Sequence, residues 1–335
     1  MLFFRTMSIS TLILAAGKGT RMKSEKSKVM HEILGYPLIW YPVSIGFSLG
    51  TDIIGVIGHG KDQVGPYLSS KGIITAVQDP PLGTGHAVLV ARELLEKNPA
   101  DDIIIIPGDM PLIRKESIES LFEIYKPSGA QMGILTARLP NPSGYGRIVR
   151  NSSGFVTAIV EEIDATDEIK AIDEVNTSVY IVNRKFLIDA VSRIKNYNAK
   201  GEYYLTDIVK MARGVVGVET SEADEANGIN SRDQLAYAAG VMQQRINLKH
   251  MTEGVSIKAP GSTWISPEAA IGCDAEIWPG VHIMGKSLVG ENTVVMPGVW
   301  IKDSTVGTDC TIGQCTVIEG TAVPNGSIIE SFRRL

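Results

Sequence analysis

The sequence predicts an α/β domain built on a mostly parallel sheet, followed by a short prism of hexapeptide repeats. Three observations carry that reading: aliphatic runs that alternate with helical stretches early in the chain, a glycine-rich loop leaving the first run, and late aliphatic residues recurring at a fixed interval. With 335 residues, 44% of them hydrophobic and 21% charged, the chain can bury a sizeable core and is long enough for two domains. A net charge of −5 without any Lys/Arg-rich block argues against a general nucleic-acid surface. An anionic substrate must therefore be met by local cations.

The first element is the buried strand Ile9 to Ala16, which ends abruptly in Gly17-Lys18-Gly19-Thr20-Arg21-Met22. Glycines let successive backbone N–H groups turn toward one anion. Arg21 adds a planar fork for phosphate oxygens, and Lys28 a point charge a little further on. Taken alone, an ordinary glycine turn with two solvated cations explains the same residues. Spacing excludes two familiar phosphate loops: Lys18 lies between the glycines rather than after them, and Met22 stands where a dinucleotide fingerprint needs its third glycine.

The run Leu14 to Met22, together with Lys28-Val29-Met30-His31, resembles the nucleotidyltransferases that make nucleotide sugars. Within them it is most similar to the bacterial N-acetylglucosamine-1-phosphate uridylyltransferases, also called UDP-N-acetylglucosamine pyrophosphorylases, from about Ser8 to Asn230 and weakly beyond. The resemblance implies a Rossmann-like nucleotidyltransferase domain over residues 8–230, a connecting helix over 231–250 and a short left-handed parallel β-helix over 251–330. It implies Arg21 and Lys28 as catalytic residues and Leu14, Ala15, Ala16 and Gly17 as nucleotide-binding. One departure is immediate, since Ser27 replaces the usual proline before the lysine.

Further along, Pro37 to Leu49 reads as a helix, Ile53 to Ile57 as a strand, Lys61 to Ser70 as a helix and Ile73 to Val77 as a strand. A helix over Gly85 to Lys97 and a strand over Ile103 to Ile106 complete the alternation. Crossover units of this kind build a parallel sheet covered on both faces, with ligands gathering at the carboxyl ends of its strands. Gln78-Asp79-Pro80-Pro81-Leu82-Gly83-Thr84-Gly85-His86 leaves one such end. A side-chain amide offers donor and acceptor together, as a uracil edge requires, and the resemblance assigns Gln78, Gly83 and Thr84 to the nucleotide base. A helix entry capped by Thr84 is the plainer alternative, with His86 as packing or capping.

Pro107-Gly108-Asp109-Met110-Pro111-Leu112 follows four consecutive isoleucines. A carboxylate at the end of a buried strand is well placed to hold a divalent cation against phosphates, although aspartate also serves there as a turn former. Pro107 replaces a tyrosine common among the similar enzymes. After Gln131 the pattern turns to hairpins: Gly144-Tyr145-Gly146-Arg147-Ile148 begins a strand, Asn151 to Gly154 is a turn, and Phe155 to Glu161 returns. The resemblance places Gly146, Glu161 and Asn176 around an acetamido sugar. Glu202 to Asp207 reads as a helix start that shapes the pocket. The resemblance implies that Asn230, just before the expected cap Ser231, joins Asp109 as a ligand of Mg2+, an amide oxygen and a carboxylate leaving room for water and phosphate oxygens.

Ile265, Ile271, Ile277, Ile283, Val289, Val295 and Ile301 recur every six residues, and after a one-residue slip the register resumes at Val306, Ile312 and Ile318. At about eighteen residues per coil this makes roughly three to four coils. Such a prism is expected to associate, as a homotrimer in the family's manner, with Trp264, Trp278 and Trp300 as candidate contacts or as plain packing. Longer relatives acetylate glucosamine-1-phosphate on an extended β-helix; no counterpart of those residues is found here, so acetyl transfer is expected to be absent.

Cys273, Cys310 and Cys315 are odd in number and have no histidine at metal-site spacing, which fits a reducing compartment better than a disulfide framework. Met1-Leu2-Phe3-Phe4 is too short for a signal core, Arg5 interrupts it, and Met7 is a candidate start; a soluble, cytoplasmic protein without membrane insertion is expected. The expected reaction is Mg2+-dependent transfer of UMP from UTP to N-acetylglucosamine-1-phosphate, supplying a cell-envelope precursor for peptidoglycan. Another sugar-1-phosphate or nucleotide is one alternative. A non-catalytic scaffold is the other, disfavoured because Arg21, Lys28, Asp109 and Asn230 are all present.

Overall fold

The computed structural model describes residues 8–335, so the readings made on Met1 to Met7 lie outside the described residues. The chain divides into two compact units, Met1–His31 with Leu38–Arg232, and Glu32–Pro37 with Asp233–Leu335.

The first unit is a nine-stranded sheet. In chain order its strands are β1 (Ile9–Ala15), β2 (Asp52–Ile57), β3 (Ile74–Val77), β4 (Asp102–Pro107), β5 (Met132–Arg138), β6 (Arg147–Arg150), β7 (Val156–Val160), β8 (Glu174–Asn183) and β9 (Val215–Glu219). Seven lie side by side in the order β9-β5-β8-β4-β1-β2-β3, while β6 pairs with β8 and β7. Neighbours are parallel except around β8, which runs antiparallel to β4, β5 and β6, and within the β6/β7 hairpin. The sheet is thus mostly parallel, as the alternation predicts. Its central strands are buried on both faces and so read as continuous aliphatic runs: Ile103 to Ile106 are fully buried.

Strand order reverses at β1, where β2 and β3 continue to one side and β4 lies on the other. A reversal of this kind opens a crevice beyond the carboxyl ends of the two strands, because the following connections leave in opposite directions. The glycine loop follows β1 and Asp109 follows β4.

Three elements differ from expectation. The first helix begins at Trp40, since Tyr36–Pro37 pairs with Glu32–Ile33 as a small hairpin. The helix expected from Gly85 to Lys97 is two pieces, Thr84–Val90 and Arg92–Lys97. Glu202 to Tyr204 does not start a helix; the backbone of Tyr203 is bonded to Leu82 and Gly85, and a 3-10 helix follows at Leu205–Met211.

The second unit is a left-handed parallel β-helix preceded by the helix Arg232–Thr252. Its short strands stack into three parallel sheets of five, four and four strands. Ile265, Ile277, Ile283, Val295, Ile301, Val306, Ile312 and Ile318 are fully buried along the axis. The repeat continues past Ile318 with a second five-residue step to Val323. Both short steps fall at the same corner, where the left-handed residues Gly285, Asp303 and Gly320 stack and the two later coils turn with one residue fewer. Helix residues Gln243 and Asn247 are buried and donate to the Thr263 carbonyl at 2.8 and 2.9 Å.

Candidate nucleotidyl-transfer site

Four strand ends meet at the crevice. The peptide after β1 is bonded to that after β2 (His59 N–H to Ala16 O, 3.3 Å), and Gln78 N–H donates to Ile57 O at 2.7 Å. Gly108 N–H donates to Leu14 O at 2.8 Å, which sets Asp109 beside the start of the glycine loop. Leu14, Ala15, Ala16, Gly17, Gln78 and Asp109 therefore share one rim.

Lys28 joins them from the loop after Gly19. Gly19 adopts a left-handed φ of 59°, and a Cβ there would lie only 2.5 Å from Lys28 Cβ, so only glycine lets the loop close over the lysine. The Lys28 ammonium donates to Asp109 Oδ2 at 2.5 Å and to Asn230 Oδ1 at 2.9 Å. Both side chains of the pair with Asp109 are largely buried. Asn230 is brought there by backbone: Ile229 N–H donates to Asp109 O at 2.9 Å. Arg21 is exposed on the 3-10 turn Thr20–Met22 and touches none of the three; its turn is anchored where Arg232 Nε donates to Met22 O at 3.2 Å.

Ser27 accounts for its departure from proline. Its backbone N–H donates to Gln63 Oε1 at 2.9 Å, a bond proline cannot make. Pro107 closes β4 opposite Leu14.

Gln78 is buried, and its amide nitrogen lies 2.9 Å from the Gly83 carbonyl oxygen and 3.1 Å from His86 Nδ1. The loop itself is sewn to Tyr203 and Leu205: Tyr203 N–H donates to Leu82 O, Gly85 N–H to Tyr203 O, and Leu205 N–H to Thr84 Oγ1 at 3.0 Å. Gly83 rather than Thr84 occupies the cap position of the helix, and the Thr84 hydroxyl braces the loop by accepting from Leu205.

Gly146, Glu161 and Asn176 also come together. Asn176 N–H donates to Gly146 O at 2.9 Å, and a Cβ on Gly146 would stand 3.5 Å from the Glu161 carboxylate. Burial pushes the Glu161 carboxyl above the usual carboxylate range, against a hydrogen bond from Thr206 that lowers it. Beyond Asn176, β8 is irregular: Ser178 is left-handed at φ 65°, and the pairing with β5 shifts between Asn176 and Tyr180. No sequence signal marks that bulge. Also unread in the sequence are Arg147, almost fully buried between the Tyr145 carbonyl and Glu162, and Glu225, fully buried behind the Asn230 segment.

Asp109 and Asn230 direct two hard oxygens at one positive group, the ligand chemistry a divalent cation takes when it keeps water and phosphate oxygens as its other ligands. Among the described residues no group of three or more His, Cys, Asp or Glu side chains gathers to hold a metal.

The family model of the MobA-like NTP transferase domain matches residues 11–165. The bifunctional protein GlmU of Caldanaerobacter subterraneus subsp. tengcongensis is 41% identical over 329 residues, covering 97% of this chain and 71% of the relative. That of Geobacter metallireducens is 43% identical over 304 residues, covering 89% and 64%. The chain belongs to the GlmU family. Its membership makes it a nucleotidyltransferase, and nucleotidyl transfer of the GlmU kind typically draws on a divalent metal. A glucose-1-phosphate thymidylyltransferase structure from Bacillus anthracis, described as putative and in complex with a sucrose, shares the fold at a TM-score of 0.57 and 20% identity, covering 70% of this chain and 94% of that one. Among the described residues no helix is long and apolar enough to cross a membrane.

Proposed function

We propose that this chain transfers UMP from UTP to N-acetylglucosamine-1-phosphate, giving UDP-N-acetylglucosamine and pyrophosphate. A phosphate oxygen of the sugar phosphate attacks the α-phosphorus of UTP, the bond from that phosphorus to the bridging oxygen breaks, and pyrophosphate leaves with the electron pair. The attacking oxygen is already anionic, so no protein nucleophile or base is needed. Catalysis is positioning and charge neutralisation.

The single observation that carries the reading is the shared contact of Lys28 with Asp109 and Asn230 at the crevice, in a chain of the GlmU family. Lys28 presents its charge where the α-phosphate and the attacking oxygen meet. Arg21, exposed at the mouth of the glycine loop, takes the outer phosphates. Asp109 and Asn230 would hold Mg2+, which when bound supplies Lewis-acid neutralisation of phosphate charge. Leu14 to Gly17 carry the nucleotide, Gln78, Gly83 and Thr84 its base, and Gly146, Glu161 and Asn176 the acetamido sugar. UTP as substrate fits a cytoplasmic setting.

Association as a homotrimer through the β-helix is part of the same reading. Trp264, His282 and Trp300 lie in register on successive strands of one sheet, His282 and Trp300 stack with ring centroids 5.3 Å apart, and all three are partly exposed. Sedimentation of the purified chain tests this, a monomer counting against it. For the reaction, the chain is incubated with magnesium, each of several nucleoside triphosphates and each of several sugar-1-phosphates, and pyrophosphate is measured. Release confined to UTP with N-acetylglucosamine-1-phosphate is expected; preference for another pair reassigns the substrates.

A further inference from the structure

We infer that His86 is a positioning residue that fixes which edge of the nucleotide base the site accepts, by locking the carboxamide of Gln78 with its oxygen as the one group left for the base. The inference rests on the reading of a nucleoside triphosphate as substrate and adds the means of choosing among its bases.

The argument begins with the amide. Its nitrogen lies 2.9 Å from the Gly83 carbonyl oxygen and 3.1 Å from His86 Nδ1. A carbonyl oxygen only accepts, so the group facing it must be the NH2 and not the amide oxygen. That fixes the orientation of Gln78. The remaining N–H then points at His86 Nδ1, which has to be the unprotonated ring nitrogen, with the imidazole neutral and its proton on Nε2. Both amide donors are consumed inside the protein. Gln78 does not offer a donor and an acceptor together, as its residue type alone suggests; it offers an acceptor.

Both anchors are themselves held. Gly83 has a φ of 110°, and a Cβ there would lie 2.7 Å from the Tyr203 carbonyl oxygen. His86 sits one position after Gly85, whose N–H donates to that carbonyl at 2.7 Å, and its ring leans on that of Tyr203 with centroids 6.4 Å apart. The lock is therefore rigid before any ligand arrives.

An acceptor without a donor distinguishes pyrimidines at N3. Uracil carries N3–H and can donate to Gln78 Oε1; cytosine carries a lone pair there and repels it. A site whose buried polar group goes unpaired with the wrong ligand discriminates far more strongly than one that relies on shape. Thymine shares N3–H, so this contact admits thymidine triphosphate and leaves its exclusion to other walls.

Steady-state kinetics with UTP and CTP, on the wild type and on two substitutions, test the lock. In His86→Leu the second amide hydrogen loses its acceptor and Gln78 gains freedom to turn. The KM for UTP should rise about five- to tenfold with a smaller change in kcat, and the UTP/CTP ratio of kcat/KM should narrow by at least the same factor. In His86→Asn the side-chain oxygen stands near the position of Nδ1, and both quantities should return to within about threefold of wild type. A folded His86→Leu enzyme with an unchanged UTP/CTP ratio overturns the inference. Nitrogen-15 spectra of the histidine-labelled wild type, assigned by the loss of one signal in His86→Asn, give a test independent of turnover. An unprotonated Nδ1 on His86 supports the lock, and a protonated Nδ1 excludes it, whatever the enzyme's substrate proves to be.

Discussion

Lys28 and Asp109 stand 81 positions apart in the chain, yet the ammonium lies 2.5 Å from the carboxylate, with the Asn230 amide oxygen 2.9 Å from the same nitrogen. The contact joins a loop after the first strand, the end of the fourth and a segment that precedes the second unit. Removing the cation leaves two half-buried oxygens without the ammonium they share and deprives a transferring phosphate of a nearby positive charge.

Lys28→Ala is therefore expected to cut pyrophosphate release by at least about 100-fold, the scale of losing one transition-state donor. Circular dichroism should show an intact fold. Near-normal turnover by the folded variant would take Lys28 out of the chemistry.

Asp109→Asn replaces a hard anionic oxygen by a neutral one beside Asn230. Binding of Mn2+, followed by electron paramagnetic resonance as a stand-in for magnesium, should weaken by about tenfold or more, and chelation of wild type should abolish activity until metal is restored. If the variant binds Mn2+ as tightly as wild type, the cation is held elsewhere.

Glu161 is held with its carboxyl pKa raised by burial, so folding favours its protonated form. Its contribution to stability is present below the ordinary carboxylate range and is lost as pH rises through the raised folded value. Glu161→Gln should accordingly melt higher than wild type at neutral pH, the difference closing under acid. The same variant should show a raised KM for the sugar phosphate, because a charged acceptor in the pocket has been removed. A melting difference that grows on acidification would reverse the assignment.

Glu225 is fully buried, and its two oxygens accept the Arg114 backbone N–H at 2.9 Å and the Ser117 hydroxyl at 2.8 Å. It ties the segment that delivers Asn230 to the loop and helix that follow Asp109. Glu225→Ala leaves those donors without their acceptor, at a cost of about 2 kcal/mol or more in unfolding free energy. Denaturant titration measures that cost, and Mn2+ affinity should fall with it; unchanged affinity would make Glu225 purely structural.

Much of this molecule is written in local pattern. Four isoleucines in a row announce a strand buried on both faces, the glycine-bracketed loop marks where the backbone can meet phosphate, and the six-residue recurrence of aliphatic residues specifies a prism because one side chain per edge must point inward. These are properties of neighbours along the chain, set by side-chain period and by glycine's backbone freedom. What neighbours cannot specify is which strand ends share a rim. Reversal of strand order at β1 decides that, and with it the meeting of Lys28, Asp109 and Asn230. The same holds for Gln78: its residue type offers donor and acceptor alike, and only the carbonyl of Gly83 and the ring of His86, packed around it by the fold, remove the donors. Sequence determines which groups are available; tertiary packing determines which of their hydrogen bonds are already made, and therefore what remains for a ligand.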